Sequence, residues 1–258
     1  MKKEFKNDKF IPWFIGFCDA ECSFITNLVP RINKQTKIIT SYRVLYRIQI
    51  GLSIKDKSTL EYINSKFDKI GKIYVYEHRQ ESTLSFNSLD SLRFLIENVF
   101  SKNPLLTSYQ ANRYATLEAG LLKNKTGLKS VEEFETMVIN TIEPKFEECS
   151  KFYLDNWIVG FLNGEVSFTS FKTNTGVIKP KVSLEHTSEK ALQFIKIYLE
   201  FGPKVHQLKQ RPNRKVTYRI DISSVVDLYK LCQLIDRTDS LQGNKLRQYE
   251  AWKNRFNI

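Results

Sequence analysis

The sequence predicts an α+β fold built twice, with two related halves that each run helix, hairpin, helix, hairpin, helix. Three observations predict it. The twelve residues Trp13-Phe14-Ile15-Gly16-Phe17-Cys18-Asp19-Ala20-Glu21-Cys22-Ser23-Phe24 return as Trp157-Ile158-Val159-Gly160-Phe161-Leu162-Asn163-Gly164-Glu165-Val166-Ser167-Phe168. After each copy the apolar pattern changes from helical spacing to the alternation of a strand. The same succession of elements then follows in both stretches, and repetition on this scale is a signal at the level of the fold.

In the first half, Pro12 suits the opening turn of a helix over 11–21, where its missing N–H loses no intrahelical partner. Beyond Glu21 the chain alternates as a strand, breaks at Asn33-Lys34-Gln35-Thr36-Lys37, and resumes over 41–52, which is a hairpin pattern. Val44, Tyr46, Ile48 and Ile50 fall on one face of the second strand, and Arg43, Leu45, Arg47 and Gln49 on the other. Leu60, Ile63 and Phe67 mark a helix over 57–67 that Gly71 is expected to stop. Strands over 72–78 and 82–86 and a helix over 89–100 complete the half. Tyr74, Tyr76 and His78 alternate there with Ile73 and Val75.

The second half repeats this grammar. Strands over 167–172 and 179–185 precede a helix over 188–201, with Gly202 as its stop. Strands over 204–208 and 215–222 and a helix over 225–235 follow. In the last strand Lys215, Thr217, Arg219 and Asp221 alternate against Val216, Tyr218, Ile220 and Ile222. Each half has a matching tail, with Leu106, Tyr114 and Leu117 aligned to Leu241, Tyr249 and Trp252. The boundaries expected are 1–122 and 151–258, joined by a linker over 123–150. In that linker Ser130-Val131-Glu132-Glu133 is a capping box opening a helix to about Ile142, before Pro144.

Composition narrows the function classes. The chain has 258 residues, 41% of them hydrophobic, enough for packed cores in two modest domains. Lys and Arg outnumber Asp and Glu by 40 to 28, for a net charge of +12 and a pI near 9.4, which favours a polyanionic partner. No apolar run approaches the roughly 20 residues that span a bilayer, and Met1 to Asp8 lack a signal-peptide core, so no membrane role is expected. Cys18, Cys22, Cys149 and Cys232 form neither a disulfide framework nor a metal-binding pair, which fits packing residues in a reducing compartment. The richness in Lys, Asn, Ile and Phe points to an AT-rich genome such as that of an organelle.

Small residues four apart, Gly16 with Ala20 and Gly160 with Gly164, clear a stripe on each repeated helix so that the two can pack closely. Glu21 and Glu165 are then expected to meet at the shared end. This paired motif resembles the LAGLIDADG motif of homing endonucleases, and the likeness covers nearly the whole chain. It implies a monomer of two pseudo-symmetric αββαββα repeats whose sheets form a concave β-saddle over nucleic acid, with the motif helices packed at the interface. By the same resemblance Glu21 and Glu165 bind catalytic metal ions with help from the Ala20 and Gly164 carbonyls, and Lys245 assists beside the scissile phosphate.

The chemistry agrees with the residue types. Hydrolysing a phosphodiester needs an activated water and neutralised oxygens, which divalent ions supply. Mg²⁺ is a hard ion that is often held by one or two carboxylates plus phosphate and water. No other cofactor is expected. For binding, Arg and Gln on a β-ribbon read base edges while Lys contacts phosphate. The candidate surface comprises Arg43, Arg47, Gln49, Tyr74, Tyr76, His78, Lys179, Lys181, Lys215, Thr217 and Arg219, with Lys179 and Lys181 placed as the equivalents of Arg47 and Gln49.

The sequence departs from the family pattern at three places. Cys22 and Val166 follow the glutamates where glycine is usual, and Tyr109 is read as the counterpart of Lys245. Two functions therefore stay open. One is a site-specific, Mg²⁺-dependent endonuclease acting on a long double-stranded DNA target. The other is a catalytically degenerate relative that binds structured RNA, as a maturase or as a component of an organellar ribonucleoprotein. Composition and the resemblance together point to an organelle, with the mitochondrion expected.

Overall fold

Asp8 starts the first helix by accepting the Phe10 N–H at 2.8 Å, which satisfies one of the donors a helix N-terminus leaves over. In the computed structural model, which describes residues 8–123, 126–210, 212–238 and 241–258, that helix is α1 (Phe10–Glu21). The stretch 1–7, most of the segment read for a signal core, lies outside the described residues. The hairpin β1 (Cys22–Ile32) and β2 (Ile39–Ser53) follows. Its turn is closed by the Asn33 side chain, which accepts from Gln35 N–H and Thr36 N–H, and Lys37 adopts φ 59°. Next come α2 (Lys57–Lys66), β3 (Lys72–Tyr76), β4 (Glu81–Phe86), α3 (Leu89–Asn98) and α4 (Ser108–Leu122). Two short pieces, β5 (Gly127–Leu128) and α5 (Val131–Glu135), complete this stretch.

The remainder repeats the order: α6 (Lys151–Glu165), β6 (Val166–Lys172), β7 (Ile178–His186), α7 (Glu189–Tyr198), β8 (His206–Gln207), β9 (Tyr218–Ile222), α8 (Val225–Thr238) and α9 (Gly243–Phe256). Serine hydroxyls at Ser88, Ser150 and Ser188 cap α3, α6 and α7. The chain divides into two compact units. One is Cys22–Pro144; the other is Lys145–Ile258 together with α1.

In the first unit an antiparallel sheet runs β1-β2-β4-β3, with β5 against the far end of β2. The alternation read in β2 is the alternation observed: Val44, Tyr46, Ile48 and Ile50 are buried, while Arg43 and Arg47 are exposed. Leu60 and Ile63 of α2, Leu92 and Leu95 of α3, and Leu117 of α4 are buried with that face. Each such side chain stabilises the core by about 1.5–3 kcal/mol. Phe24, Phe100 and Tyr114 form an aromatic cluster under α4, with ring centroids 5.1–5.6 Å apart.

The second unit has its own antiparallel sheet, β6-β7-β9-β8. Val166, Val182, Leu184, Ile220 and Ile222 are buried beneath α7 and α8. The aligned tails prove to be helices α4 and α9. Tyr249 and Trp252 of α9 pack with tilted rings against Phe168 at 5.4 Å, and Trp252 Nε1 donates to Thr169 O at 2.7 Å. No described helix is long and apolar enough to cross a membrane. Cys18, Cys22 and Cys232 are buried and belong to no disulfide, which fits the packing role expected of them.

Several local expectations are corrected. The linker helix ends at Glu135 rather than Ile142, because later backbone N–H groups are diverted to α4 side chains: Ile139 N–H donates to Thr116 and Ile142 N–H to Asn112. The strand expected over 215–222 begins at Tyr218, and that over 204–208 shrinks to His206–Gln207. Strand β3 stops at Tyr76, and His78 lies in a 3-10 turn over Glu77–Arg79. Neither Gly71 nor Gly202 takes the left-handed conformation at a helix stop; Asp68, Lys69 and Glu200 do. Gly71 is required for close approach, since a Cβ there would lie 2.6 Å from Leu84 and 2.7 Å from Phe86.

Candidate nuclease site and sheet faces

Helices α1 and α6 are apolar almost all round, and Phe10 to Asp19 and Trp157 to Asn163 are buried without interruption. They pack on each other within the second unit. A Cβ on Gly16 would sit 1.9 Å from the Trp157 carbonyl oxygen, and one on Gly160 would sit 1.8 Å from that of Trp13. Backbone meets backbone here, so only glycine fits at either position. One turn on, a Cβ at Gly164 would meet Ala20 Cβ at 2.6 Å. The small-residue stripe thus does what its spacing predicted.

The contact places the glutamates. Glu21 lies over Gly164, with its Cγ 2.9 Å and its Oε1 3.3 Å from where a Gly164 Cβ would stand. Glu165 follows at the end of α6. Burial first, and then the facing Glu21 carboxylate, push the Glu165 carboxyl well above the usual carboxylate range, while Lys245 pulls it back. Two carboxylates and one lysine therefore converge where the helices end. The helix stripe also makes the pair unequal: Asp19, fully buried, accepts from Trp157 Nε1 at 2.8 Å, whereas its repeat equivalent Asn163 accepts from Gln242 N–H at 2.6 Å.

The residues after the glutamates need no special backbone. Val166 has φ −74° and ψ 140°, ordinary extended values, and Cys22 is not among the residues of positive φ. Both side chains are buried. The absence of glycine at these turns carries no conformational cost.

The position beside them corrects the alignment of the tails. Lys245 Nζ donates to the Val166 carbonyl at 2.6 Å. In the first unit the group that donates to the Cys22 carbonyl, also at 2.6 Å, is Gln110 Nε2. Tyr109 is 49% exposed and accepts from Arg113 instead. Gln110 is therefore the counterpart of Lys245. The signal was in the sequence, because Gln110 and Lys245 have the same spacing as Leu106 and Leu241 or Tyr114 and Tyr249.

The strand register sorts the candidate binding residues. In the first sheet Gln49 pairs with Ser85, Ser85 with Lys72, and Thr83 with Tyr74 and Gly51. Cross-strand partners share a face, so Arg43, Arg47, Gln49, Tyr74 and Tyr76 all lie on the side opposite the core, joined by Lys72, which the sequence reading passed over. His78 is off the strand, with its ring edge-on to Tyr76 at 6.4 Å. In the second sheet Thr169 pairs with Lys181 as Ile25 pairs with Arg47. Lys181 thus answers to Arg47 and Lys179 to Leu45, two residues from the expected equivalence but on the same face. Arg219 shares that face through its partner Glu185. Lys215 and Thr217 precede β9 and line a cleft of about 760 Å³ with Arg219, Lys209 and Arg214.

With the geometry in place, comparison with known proteins is informative. Residues 14–118 match the family model described as LAGLIDADG endonuclease. The crystal structure of the LAGLIDADG meganuclease I-CpaMI bound to uncleaved DNA superposes with a TM-score of 0.74, covering 96% of this chain and 91% of that one at 22% identity. The fold is that of the LAGLIDADG meganucleases. A probable intron-encoded endonuclease of Neurospora crassa is 28% identical over 94% of the chain. An uncharacterized mitochondrial protein of Saccharomyces cerevisiae, RF1, is 27% identical over 77% of it. The chain spans only 59% and 40% of the length of these two relatives.

The carboxylates at the end of the helix pair have the chemistry to hold a divalent metal. Among the described residues no three or more His, Cys, Asp or Glu gather as a self-sufficient metal cage. Two opposed carboxylates with raised proton affinity at Glu165 are what remains, a donor set of the hard-oxygen kind that divalent ions take.

Proposed function

We propose that this chain is a site-specific homing endonuclease that hydrolyses both strands of a long double-stranded DNA target with Mg²⁺. The observation that carries the reading is the convergence of Glu21, Glu165 and Lys245 at the end of a close-packed helix pair. Glu21 and Glu165, with the Ala20 and Gly164 carbonyls, would hold the metal. When bound, the metal supplies charge neutralisation at the phosphate and lowers the pKa of water. The chain's own residues do the rest. The helix packing fixes both carboxylates without loop freedom, Lys245 adds a positive charge beside Glu165, and the outward faces of the sheets hold the duplex. The Saccharomyces cerevisiae relative, a mitochondrial protein by its name, supports a mitochondrial setting.

The RNA-binding alternative rested on Cys22, Val166 and Tyr109. The ordinary backbone at Val166 removes part of that ground, so DNA cleavage is the reading we hold.

The test is a randomised duplex library incubated with Mg²⁺. Wild type is expected to cut a discrete subset. Glu21→Gln and Glu165→Gln are each expected to abolish cutting while retaining binding in Ca²⁺. Glu165→Gln is also expected to raise the melting temperature in EDTA at pH 7, because a carboxyl whose folded pKa is raised destabilises the fold once ionised. That gain should shrink as pH falls toward the unfolded carboxyl value. Failure of wild type to nick any member of the library overturns the reading, and selective recovery of RNA with the native protein restores the alternative.

A further inference from the structure

His186 ends β7 and touches both motif helices. Its ring faces Phe161 of α6 edge-on at 4.9 Å, and its Nδ1 accepts the Ser188 N–H at 2.9 Å. Burial pulls its pKa down to about 4, so the ring is neutral near pH 7. A neutral imidazole that accepts at one nitrogen carries its proton on the other, which makes Nε2 the donor. That donor goes to the backbone carbonyl of Asp19 in α1. Asp19 is among the last four residues of α1, whose carbonyls a helix leaves without an internal partner. The same residue is held a second time, through the 2.8 Å bond from Trp157 Nε1 to its carboxylate. Two residues on, Glu21 ends the helix.

Only one repeat can make this tether. The residue matching His186 on β2 is Leu52, counted from the strand partners of Val166 and Cys22, and leucine has nothing to donate. The first repeat therefore shows that the strand can end without a polar side chain. Burying an imidazole costs free energy that leucine in the same place does not incur, so the reason for the histidine lies in what it holds.

We infer that His186 is a positioning residue for the nuclease chemistry, which fixes the Asp19 carbonyl and so keeps the last turn of α1 wound, with the Glu21 carboxylate and the Ala20 carbonyl in place. This rests on the endonuclease reading. A side chain on the last residue of a helix moves with any fraying of the peptide planes before it, and the close packing at Gly16 and Gly160 lies more than a turn back. Outer hydrogen-bond partners that orient metal-binding groups are worth about 10- to 100-fold in metal affinity or activity, which sets the effect expected here.

Three variants separate the two hydrogen bonds of the ring. His186→Gln sets an amide N–H where Nε2 stands and can keep the bond to Asp19. His186→Asn reaches only as far as Nδ1, so it offers Ser188 an acceptor and loses Asp19. His186→Leu supplies the residue of the first repeat and loses both. On a duplex that wild type cuts, the Asn and Leu variants should slow cleavage about 10- to 100-fold and raise the Mg²⁺ concentration needed for half the maximal rate. The Gln variant should stay within a few-fold of wild type. Duplex affinity in EDTA should be the same for all, and the Gln and Asn variants should melt close together, so the rate difference between them is not one of folding.

A second arm needs neither metal nor DNA. Amide hydrogen exchange at Ala20 and Glu21 in the free protein should quicken in His186→Asn and stay slow in His186→Gln, and ¹⁵N-resolved spectra of wild type should find the His186 proton on Nε2. Equal cleavage by the Asn and Gln variants, exchange unmoved by His186→Asn, or a proton on Nδ1 each overturn this inference and leave the endonuclease reading standing. Wild type that binds duplex but cuts it nowhere overturns both.

Discussion

The two sheets share a topology but present different faces. On the first, Arg43, Arg47 and Lys72 stand among neutral partners, and Arg47 donates to Gln49 at 3.4 Å. On the second, Lys181 is paired with Asp221 at 2.9 Å and Arg219 with Glu185 at 2.6 Å, while Ser183 adds a 2.6 Å bond to Asp221. Burial works to raise the Asp221 carboxyl, but hydrogen bonds from Ser183 and Lys181 and the charges of Lys181 and Arg219 outweigh it and hold it below its usual range. A duplicated scaffold has thus kept its backbone and changed its electrostatics. The first face attracts polyanion through unneutralised charge. The second orders its basic side chains in advance and reduces their net pull. The difference between Lys245 and Gln110 runs the other way, so each half carries one electrostatic advantage.

The largest effects test what the halves share. Gly16→Val and Gly160→Val each drive a side chain into the opposing backbone, and each is expected to cost about 3 kcal/mol or more. Urea denaturation should find both variants equally damaged. Tolerance of one alone would break the symmetry of the helix contact.

A titration comes next, because only the second half carries it. His186 accepts the Ser188 N–H at Nδ1, faces Phe161 edge-on at 4.9 Å, and has its pKa pulled down to about 4 by burial. The matching position on β2 is Leu52, two residues beyond the partner of Cys22 as His186 is beyond that of Val166. The unfolded chain binds a proton at His186 between about pH 6.5 and 4 that the folded chain refuses. Stability should therefore be complete above pH 6.5 and fall as pH drops, by up to ~3 kcal/mol from this group. His186→Leu should flatten that part of the profile, at the cost of an orphaned Ser188 N–H. An unchanged slope would remove His186 as its source.

Smaller differences concern the faces themselves. Arg47→Gln should reduce duplex affinity several-fold and lower the salt slope by about 0.9, whereas Lys181→Gln, whose charge is already shared with Asp221, should change both less. Equal losses would show that the ion pair on the second sheet opens on binding. The smallest expected effect is on stability, where Asp221→Asn should cost no more than about 1 kcal/mol because the pair is a third exposed. That substitution should nevertheless tighten duplex binding by freeing Lys181.

The repeated helix, the alternation in β2 and the aligned tails were legible because apolar spacing reports directly on which face is buried. Leu106, Tyr114, Leu117, Leu241, Tyr249 and Trp252 are all buried as the alignment implied. Where reading by pattern failed, the local signal was real but overruled. Ser130 caps its helix as expected, yet Thr116 and Asn112 take the N–H groups that would have continued it. Lys215 and Thr217 alternate like strand residues but lie outside β9, where Leu208 N–H donates to Thr217 O.

The sequence by itself determined that the chain is a duplication, that α1 and α6 expose glycine to one another, and that a glutamate ends each helix. Those facts follow from side-chain size and period, which are local properties. Only the tertiary structure decided which charges are answered. That Lys181 is paired, that Glu165 is opposed by Glu21 and pulled back by Lys245, and that Gln110 rather than Tyr109 faces the carbonyl after Glu21 depend on distances between segments far apart in the chain. Electrostatic and hydrogen-bond energies vary steeply with such distances, and the spacing of residues along a strand or helix does not encode them.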